Sequence, residues 1–399
     1  MLPERLLHLW QRRRVPLAWM LLTRQPVRLA VALAGISFAG VLMFLQLGFR
    51  DALFEASITI HRLFDADVVL ISPRSTSSNA MQAFPRRRLY QAAGWQEVAS
   101  VAPVRWNFVQ WKNPETGKPR SLLALGFDPA DSVLLLPELE TMQPKLRLGN
   151  RVLYDRLSRK EFGPVPEWFE QGREVRAQVG DVEVKVEGLV RMGASFSADG
   201  NLITSDRTFA KFRNSRGGVG TTNGSIELGL LRLHPGADAE ALVRQMQAVL
   251  PPDVRPLTKD QFLAFEQNYW KSSTSIGFIF TLGAAMGVVV GSVIVYQILF
   301  SDVSDHLAEY ATLKAMGYSH GSLVGVVMRE ALLLALLGYF PSWVAGLGLY
   351  ALTRSQTMIP IAMTQAMATT VFCLILGMCT ASGLLAMRKL NQADPAEIF

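Results

Sequence analysis

Four stretches of this sequence are apolar and long enough to cross a bilayer, and they limit what the chain can fold into. A helix needs about 20 apolar residues to span the hydrocarbon layer. The stretches are 27–48, 276–300, 323–352 (most apolar from Ala331 onward) and 361–387, and none has an acid or base at its centre. Arg329 and Glu330 stand only near the start of the third. Of 399 residues, 50% are hydrophobic and 18% charged, below the roughly 25% charge of soluble domains. Most of that charge lies between residues 50 and 271. The composition therefore predicts a multi-pass α-helical membrane protein with one large soluble insertion. A cleavable signal peptide is the rival reading of the first stretch. It is too long and too far from the start for that, and no small-residue cleavage pattern follows it.

The net charge of +7 could suggest nucleic acid, but its placement favours lipid. Arg5, Arg12, Arg13, Arg14, Arg24 and Arg28 directly precede the first stretch, as in a flank facing anionic headgroups. Segment 1–26 mixes these arginines with Leu6, Leu7, Trp10, Trp19 and Leu21, which predicts an amphipathic helix lying in the interface. Arg388 and Lys389 open the tail 388–399, whereas the turn 353–360 holds only Arg354. Both termini are therefore expected inside, in the cytoplasm of a bacterium, with the insertion on the outer, periplasmic side. Segment 301–322 departs from the rule, carrying Asp302, Asp305 and Glu309 against Lys314. A cytoplasmic loop that is not simply positive is expected to be shaped for a protein partner.

The insertion divides into an outer domain, 65–258, and two flanking segments, 49–64 and 259–275. Phe49, Leu53, Ala56, Ile60 and Leu63 recur at helical spacing, and so do Phe262, Phe265, Tyr269, Ser272 and Ile276. Two such stripes predict paired stalk helices continuing the first two spans. The alternative is that each stripe packs under the outer domain. The outer domain reads as mixed α/β, with strand-like runs at 67–71, 121–125, 182–186, 201–204 and 226–233 and helical runs at 87–93 and 237–250. Its last unit is a β-α-β arrangement of the kind found in ferredoxin-like modules. The loops 72–79 and 214–224 are polar and rich in Ser or Gly, so they are expected to be mobile or to contact a partner.

Catalytic signatures are sparse. No G-x-x-x-x-G-K-[ST] loop occurs, so nucleotide hydrolysis by the P-loop route is excluded for this chain. Gly217-Gly218-Val219-Gly220 leads into no helix. The five histidines, His8, His61, His234, His306 and His320, show no ligand spacing, and His61 reads as an ordinary exposed residue. Cys373 and Cys379, like Met358, Met363 and Met367, read as packing residues, so neither a metal nor a disulfide is expected. No mid-membrane charge marks an ion pathway, which argues against secondary transport. Gly283, Gly287 and Gly291 recur every four residues, and Gly35 stands near Ala39 and Gly40. Such spacing permits close helix approach, within the chain or across a dimer.

Segment 305–319 reads Asp305-His306-Leu307-Ala308-Glu309-Tyr310-Ala311-Thr312-Leu313-Lys314-Ala315-Met316-Gly317-Tyr318-Ser319. Leu307, Tyr310, Ala311 and Lys314 share a face of a short helix that Gly317 would stop. The segment resembles the E-x-x-x-L-K-A-x-G signature of the FtsX/MacB family of ABC-transporter permeases. The order of parts agrees, down to Pro395-Ala396-Glu397-Ile398 near the C-terminus. The words Pro16-Leu17-Ala18-Trp19, Ala32-Leu33-Ala34-Gly35-Ile36-Ser37-Phe38-Ala39 and Met43-Phe44-Leu45-Gln46-Leu47-Gly48-Phe49-Arg50-Asp51 are similar to the DevC branch, described as permeases of heterocyst-type glycolipid exporters.

The resemblance implies a MacB-like, homodimeric, non-enzymatic permease in the inner membrane. ATP and Mg would bind a separate ABC ATPase, and a periplasmic adaptor and TolC-like outer-membrane channel would complete a tripartite efflux assembly. Asp305, Leu307, Glu309, Tyr310, Leu313, Lys314, Ala315, Met316, Gly317 and Tyr318 would form the ATPase-coupling element. Stalks built on Leu53, Ile60, Phe262, Phe265 and Tyr269 would carry motion outward by mechanotransmission, expelling substrate from the periplasm. Gly35, Ala39, Gly283, Gly287 and Gly291 would serve helix packing or dimer contact. An FtsX-like regulator of a partner enzyme and a lipoprotein-release permease share the same four-span plan.

Overall fold

The computed structural model describes residues 26–193, 195, 198–212, 224–272, 275–305, 320–357 and 361–392. The interfacial helix expected at 1–26 therefore lies almost wholly outside the described residues, as do 306–319 of the coupling element and 214–223 of the second polar loop. The chain forms two compact units, one made of Met1–Ala52 with Ser275–Phe399, the other of Leu53–Thr274.

The first unit is a bundle of four helices, Pro26–Ser57, Ser275–Asp305, His320–Thr357 and Gln365–Gln392, here called membrane helices one to four. Each contains a stretch long and apolar enough to cross a membrane. Ile36, Ala39, Met43 and Phe44 of the first helix are buried in the bundle core with Val295, Leu334, Ile375 and Cys379. Small residues set how closely the helices approach. A Cβ built on Gly291 would lie 2.9 Å from Ala39 Cβ and 2.6 Å from Met378 Sδ, and one on Gly35 would lie 2.6 Å from Ile294 Cγ2. The outward face of the second helix, with Phe278, Leu282, Met286, Val289 and Val293, stays exposed and apolar, as a lipid-facing surface must. Glu330 of the third helix is 1% exposed and interacts electrostatically with Asp302, near the end of the second.

The second unit is an α/β domain with a short two-stranded pair, β2 (Phe84–Pro85) and β9 (Ser225–Ile226), and one nine-stranded sheet in the order β11 (Arg255–Thr258), β1 (Val68–Ile71), β10 (Leu228–Leu233), β3 (Val98–Lys112), β4 (Pro119–Phe127), β8 (Asn201–Ser205), β5 (Arg151–Asp155), β7 (Val182–Val190) and β6 (Arg176–Val179). Four strands make its first lobe: β1 (Val68–Ile71), the N-terminal half of β3 (Val98–Lys112), β10 (Leu228–Leu233) and β11 (Arg255–Thr258). The neighbours in β11-β1-β10-β3 run antiparallel. This is the strand order of a ferredoxin-like β-α-β-β-α-β module. Its helices are α2 (Arg87–Ala92) and α3 (Ala239–Val249), and α1 (Thr59–Arg62) and α4 (Lys259–Ser272) lie at its two chain ends. Leu89, Leu242, Val243 and Met246 cover one face of the sheet, packing on Val68, Leu70 and Leu231. Ile60, Phe64 and Phe262 cover the other, packing on Val69, Ile71 and Leu230. A strand covered on both faces must be apolar throughout, which explains the run Val68-Val69-Leu70-Ile71.

The second lobe is inserted between the two β-α-β halves. It contains β4 (Pro119–Phe127), β5 (Arg151–Asp155), β6 (Arg176–Val179), β7 (Val182–Val190) and β8 (Asn201–Ser205). β3 serves both lobes: residues 98–104 pair with β10, and residues 105–112 pair with β4. Because β6 also pairs with β3 at Trp111 and Lys112, the six strands β3-β4-β8-β5-β7-β6 close into a ring. Trp111, Leu122, Ala124, Tyr154 and Val186 fill its interior. Trp111 lies 5.3 Å from Tyr154 between ring centroids and donates its indole N–H to Phe162 O at 3.0 Å. Closure leaves these strands without an open edge.

The loop 72–79 is partly buried: Ser72, Ser75, Ser77 and Ser78 are buried, whereas Pro73, Arg74 and Thr76 are exposed. His61 is 1% exposed rather than a surface residue.

Candidate functional site

Two polar clusters stand out against apolar surroundings. The first is in the membrane unit, where the second helix ends at Asp305 and the predicted coupling element begins. Arg28 of the first helix meets Asp305 at 2.9 Å and Asp302 at 3.8 Å, and it donates to Ser301 Oγ. Asp302 and Asp305, two of the acids that broke the positive charge pattern of this segment, thus face an arginine from the basic N-terminal flank. Asp305 is the only coupling residue named from the sequence within the described residues. Leu307, Glu309, Tyr310, Leu313, Lys314, Ala315, Met316, Gly317 and Tyr318 all lie outside them.

The second cluster is a buried knot in the soluble unit, where α1, α4, β3 and the loop 72–80 converge. Ser78 donates both its backbone N–H and its hydroxyl to Glu266 Oε2, at 2.8 and 2.6 Å. Trp270 donates its indole N–H to the other oxygen at 2.8 Å. Trp106 of β3 donates its indole N–H to Ser78 O at 2.8 Å. His61 Nε2 lies 2.5 Å from Ser78 Oγ, and the imidazole packs between the rings of Trp106 and Phe262, at centroid distances of 5.5 and 5.0 Å. Burial pushes the imidazole below its ordinary value, with the Glu266 charge pulling the other way. A chain of bonds at these lengths offsets the cost of taking Ser78 and the Glu266 carboxylate out of water.

Another buried acid, Glu227, bonds the backbone of Trp106. Glu227 Oε2 accepts the Trp106 backbone N–H at 3.2 Å, and Glu227 is 2% exposed. Burial pushes its carboxyl up to about 7, although the Trp106 amide and Arg105 oppose the shift. Arg105 in turn pairs with Asp206. This pair marks the place where β3 passes from one lobe to the other.

The structure separates the residues that the sequence grouped as stalk. Ile60 and Phe262 belong to the core of the soluble unit, with Phe265 packed at its margin. Leu53 and Tyr269 are half-buried. Membrane helix one ends at Ser57, and α1 starts after a break at Ile58. Of the predicted stripe, Ala56 and Ile60 are buried and Leu63 is half-buried, and Phe54, Ser57, Ile58 and His61 beside them are buried as well. The glycines named for packing meet partners in the same chain: Gly283 faces Gln46, Gly287 faces Met43, and Gly291 faces Ala39. Sequence reasoning missed Ser78, Trp106, Glu227 and Glu266. One signal was available: Glu266 follows Phe262 by four residues, so it shares that apolar face and needs a buried partner.

Residues 268–395 match the family described as FtsX-like permease C-terminal. The described residues of that region are the end of α4 and membrane helices two, three and four, so the chain carries an FtsX-like permease domain. No curated protein matches the sequence. Among solved structures, the periplasmic region of MacB from Actinobacillus actinomycetemcomitans aligns at 10% identity over 53% of this chain and 96% of that one, with a TM-score of 0.33. The extracellular domain of the noncanonic ABC-type transporter YknZ from Gram-positive bacteria aligns at 9% identity over 48% and 100%, with a TM-score of 0.30. A permease-protein domain from Porphyromonas gingivalis aligns at 13% identity over 50% and 90%, with a TM-score of 0.28.

Proposed function

We propose that this chain is the permease subunit of an ABC exporter, driven by a separate ATPase and moving its soluble unit rather than conducting substrate through its helices. The observation that carries the reading is the FtsX-like permease match over residues 268–395, which includes the Glu309–Gly317 signature. The chain's own architecture supports it. A soluble unit is joined in sequence to membrane helices one and two, and Arg28 ties those helices together beside the coupling element. On this reading the chain works as a homodimer, and segment 306–319 seats in the ATPase. The soluble unit faces the periplasm and meets an adaptor that leads to an outer-membrane channel. The DevC-like words near the N-terminus favour a lipid-like substrate such as a glycolipid.

Affinity purification of the chain from its native membrane tests the assembly. Recovery of an ABC ATPase together with a periplasmic adaptor supports export. Recovery of a peptidoglycan hydrolase in place of the adaptor overturns export in favour of a regulatory role. Within the complex, Glu309→Lys and Gly317→Leu are expected to lower ATPase-coupled export at least tenfold while membrane insertion is retained. Unchanged export in both variants would remove the coupling role from this segment.

A further inference from the structure

The knot around Ser78 has a proton inventory that can be worked out atom by atom. Ser78 has one hydroxyl proton, and Glu266 receives donors from Ser78 N–H, Ser78 O–H and Trp270 N–H. With three donors directed at it, Glu266 acts as an acceptor, so the serine proton is committed to Oε2. The His61–Ser78 bond must then be donated by His61 Nε2. That assigns the tautomer: Nε2 carries the hydrogen and Nδ1 keeps a bare lone pair. Nδ1 is buried and has no hydrogen-bond partner among the described residues. A second proton on the ring would therefore create an N–H with no acceptor, inside a pocket walled by Trp106, Phe64 and Phe262.

The knot also joins elements that are distant in sequence. His61 comes from α1, Glu266 and Trp270 from α4, Ser78 from the loop 72–80, and Trp106 from β3. α1 and α4 are the segments through which the soluble unit connects, along the chain, to membrane helices one and two. We propose that His61, Ser78 and Glu266 form a proton-operated clasp that holds α1 and α4 to the loop 72–80 at neutral pH and releases them on acidification.

The neighbours of the ring bear on the direction of the effect. Glu266, from α4, is the one charged group acting on it among the described residues, at 4.0 Å from Nε2; β3 and the remaining walls present Trp106, Phe64 and Phe262. Glu266 already has three donors, so it does not turn to meet a new N–H at Nδ1 without giving one up. Opening to water is the remaining way to satisfy that group. Burial holds His61 below its ordinary 6.5, so the release lies on the acidic side of that value.

Hydrogen exchange of the full chain in nanodiscs tests the clasp, comparing peptides from 72–82 and 259–272 at pH 7.5 and 5.5 after correction for intrinsic rates. Wild type is expected to exchange at least tenfold faster at pH 5.5 in both peptides. His61→Gln should lose that dependence, whereas Glu227→Gln, which removes the other buried acid beside Trp106, should keep it. If His61→Gln does not fold, Glu266→Gln provides a second reading. Without the carboxylate the histidine takes its proton less readily, so the midpoint should move to lower pH. Equal exchange at both pH values in wild type, slower exchange at pH 5.5, dependence that survives His61→Gln, or an unmoved midpoint in Glu266→Gln would each overturn the proposal.

Discussion

Ser78 presents its amide and its hydroxyl to the same oxygen of Glu266, at 2.8 and 2.6 Å, across 188 residues of chain. Both residues are buried, and the carboxylate has no solvent to fall back on. The contact joins the first loop after β1 to the last helix before the second membrane helix. It is a long-range tie in a segment whose local sequence predicts only a polar loop.

Removing that carboxylate should cost more than the bonds themselves. Glu266→Ala removes the acceptor of the buried Ser78 amide and hydroxyl and of the half-buried Trp270 indole, for a predicted loss of about 3 kcal/mol in the stability of the soluble unit. Glu266→Gln retains an acceptor oxygen and should lose about half as much. Denaturant unfolding followed by circular dichroism separates the two variants. Equal losses would mean that packing, rather than hydrogen bonding, holds α4 in place.

Glu227 predicts a pH dependence of opposite sign to that of His61. Its carboxyl in the folded protein stands at about 7, above the ordinary 4.5, so the native state holds more protons than the unfolded state between these values. The stabilisation is full below the ordinary value and is lost as pH rises through about 7, by roughly 3 kcal/mol at most. Glu227→Gln should remove this component. Unfolding midpoints at pH 4.5 and 7.5 in the two proteins measure it, and parallel pH curves would contradict it.

Gly291 should tolerate no branched side chain. A Cβ there would already meet Ala39 Cβ at 2.9 Å, and Ala39 has no rotamer through which to move away. Gly291→Val should destabilise the helix bundle by about 1–3 kcal/mol through overpacking. Gly321→Val is the control, because a Cβ at Gly321 meets no atom within 4 Å. Thermal stability in detergent, read by size-exclusion chromatography, should fall for the first variant only.

Trp111 anchors the closed ring of strands. Trp111→Ala removes a fully buried indole and its bond to Phe162 O, with an expected cost of about 3–5 kcal/mol. Near-ultraviolet circular dichroism and urea unfolding would register the loss. A cost below 1 kcal/mol would show that the ring collapses around the gap.

The membrane helices were readable because their signal is local. A run such as Phe278 to Tyr296 is apolar whatever it packs against, and hydropathy alone assigns it to lipid. The ferredoxin-like half was partly readable for the same reason. Asp238 caps α3 by accepting from Glu240 N–H and Ala241 N–H, and the strand before it and the helix itself carry their own periodicity. β3 was not readable. This 15-residue strand packs against one core through Val104 and Trp106 and against another through Val109 and Trp111, so no single alternation describes it. The loop 72–79 is polar in sequence, and the burial of its Ser78 depends on Glu266 and Trp106, which no local pattern announces.

The sequence by itself determined that four helices can cross a membrane and that one α/β unit falls between the first two. These follow from hydropathy, charge placement and short motifs, which act over one or two turns of chain. Only the tertiary structure decided that β3 is shared by two lobes, that β6 closes a ring, and that His61, Ser78 and Glu266 meet in one buried knot. Such contacts pair residues up to 200 positions apart, and their energy depends on geometry that no local pattern encodes.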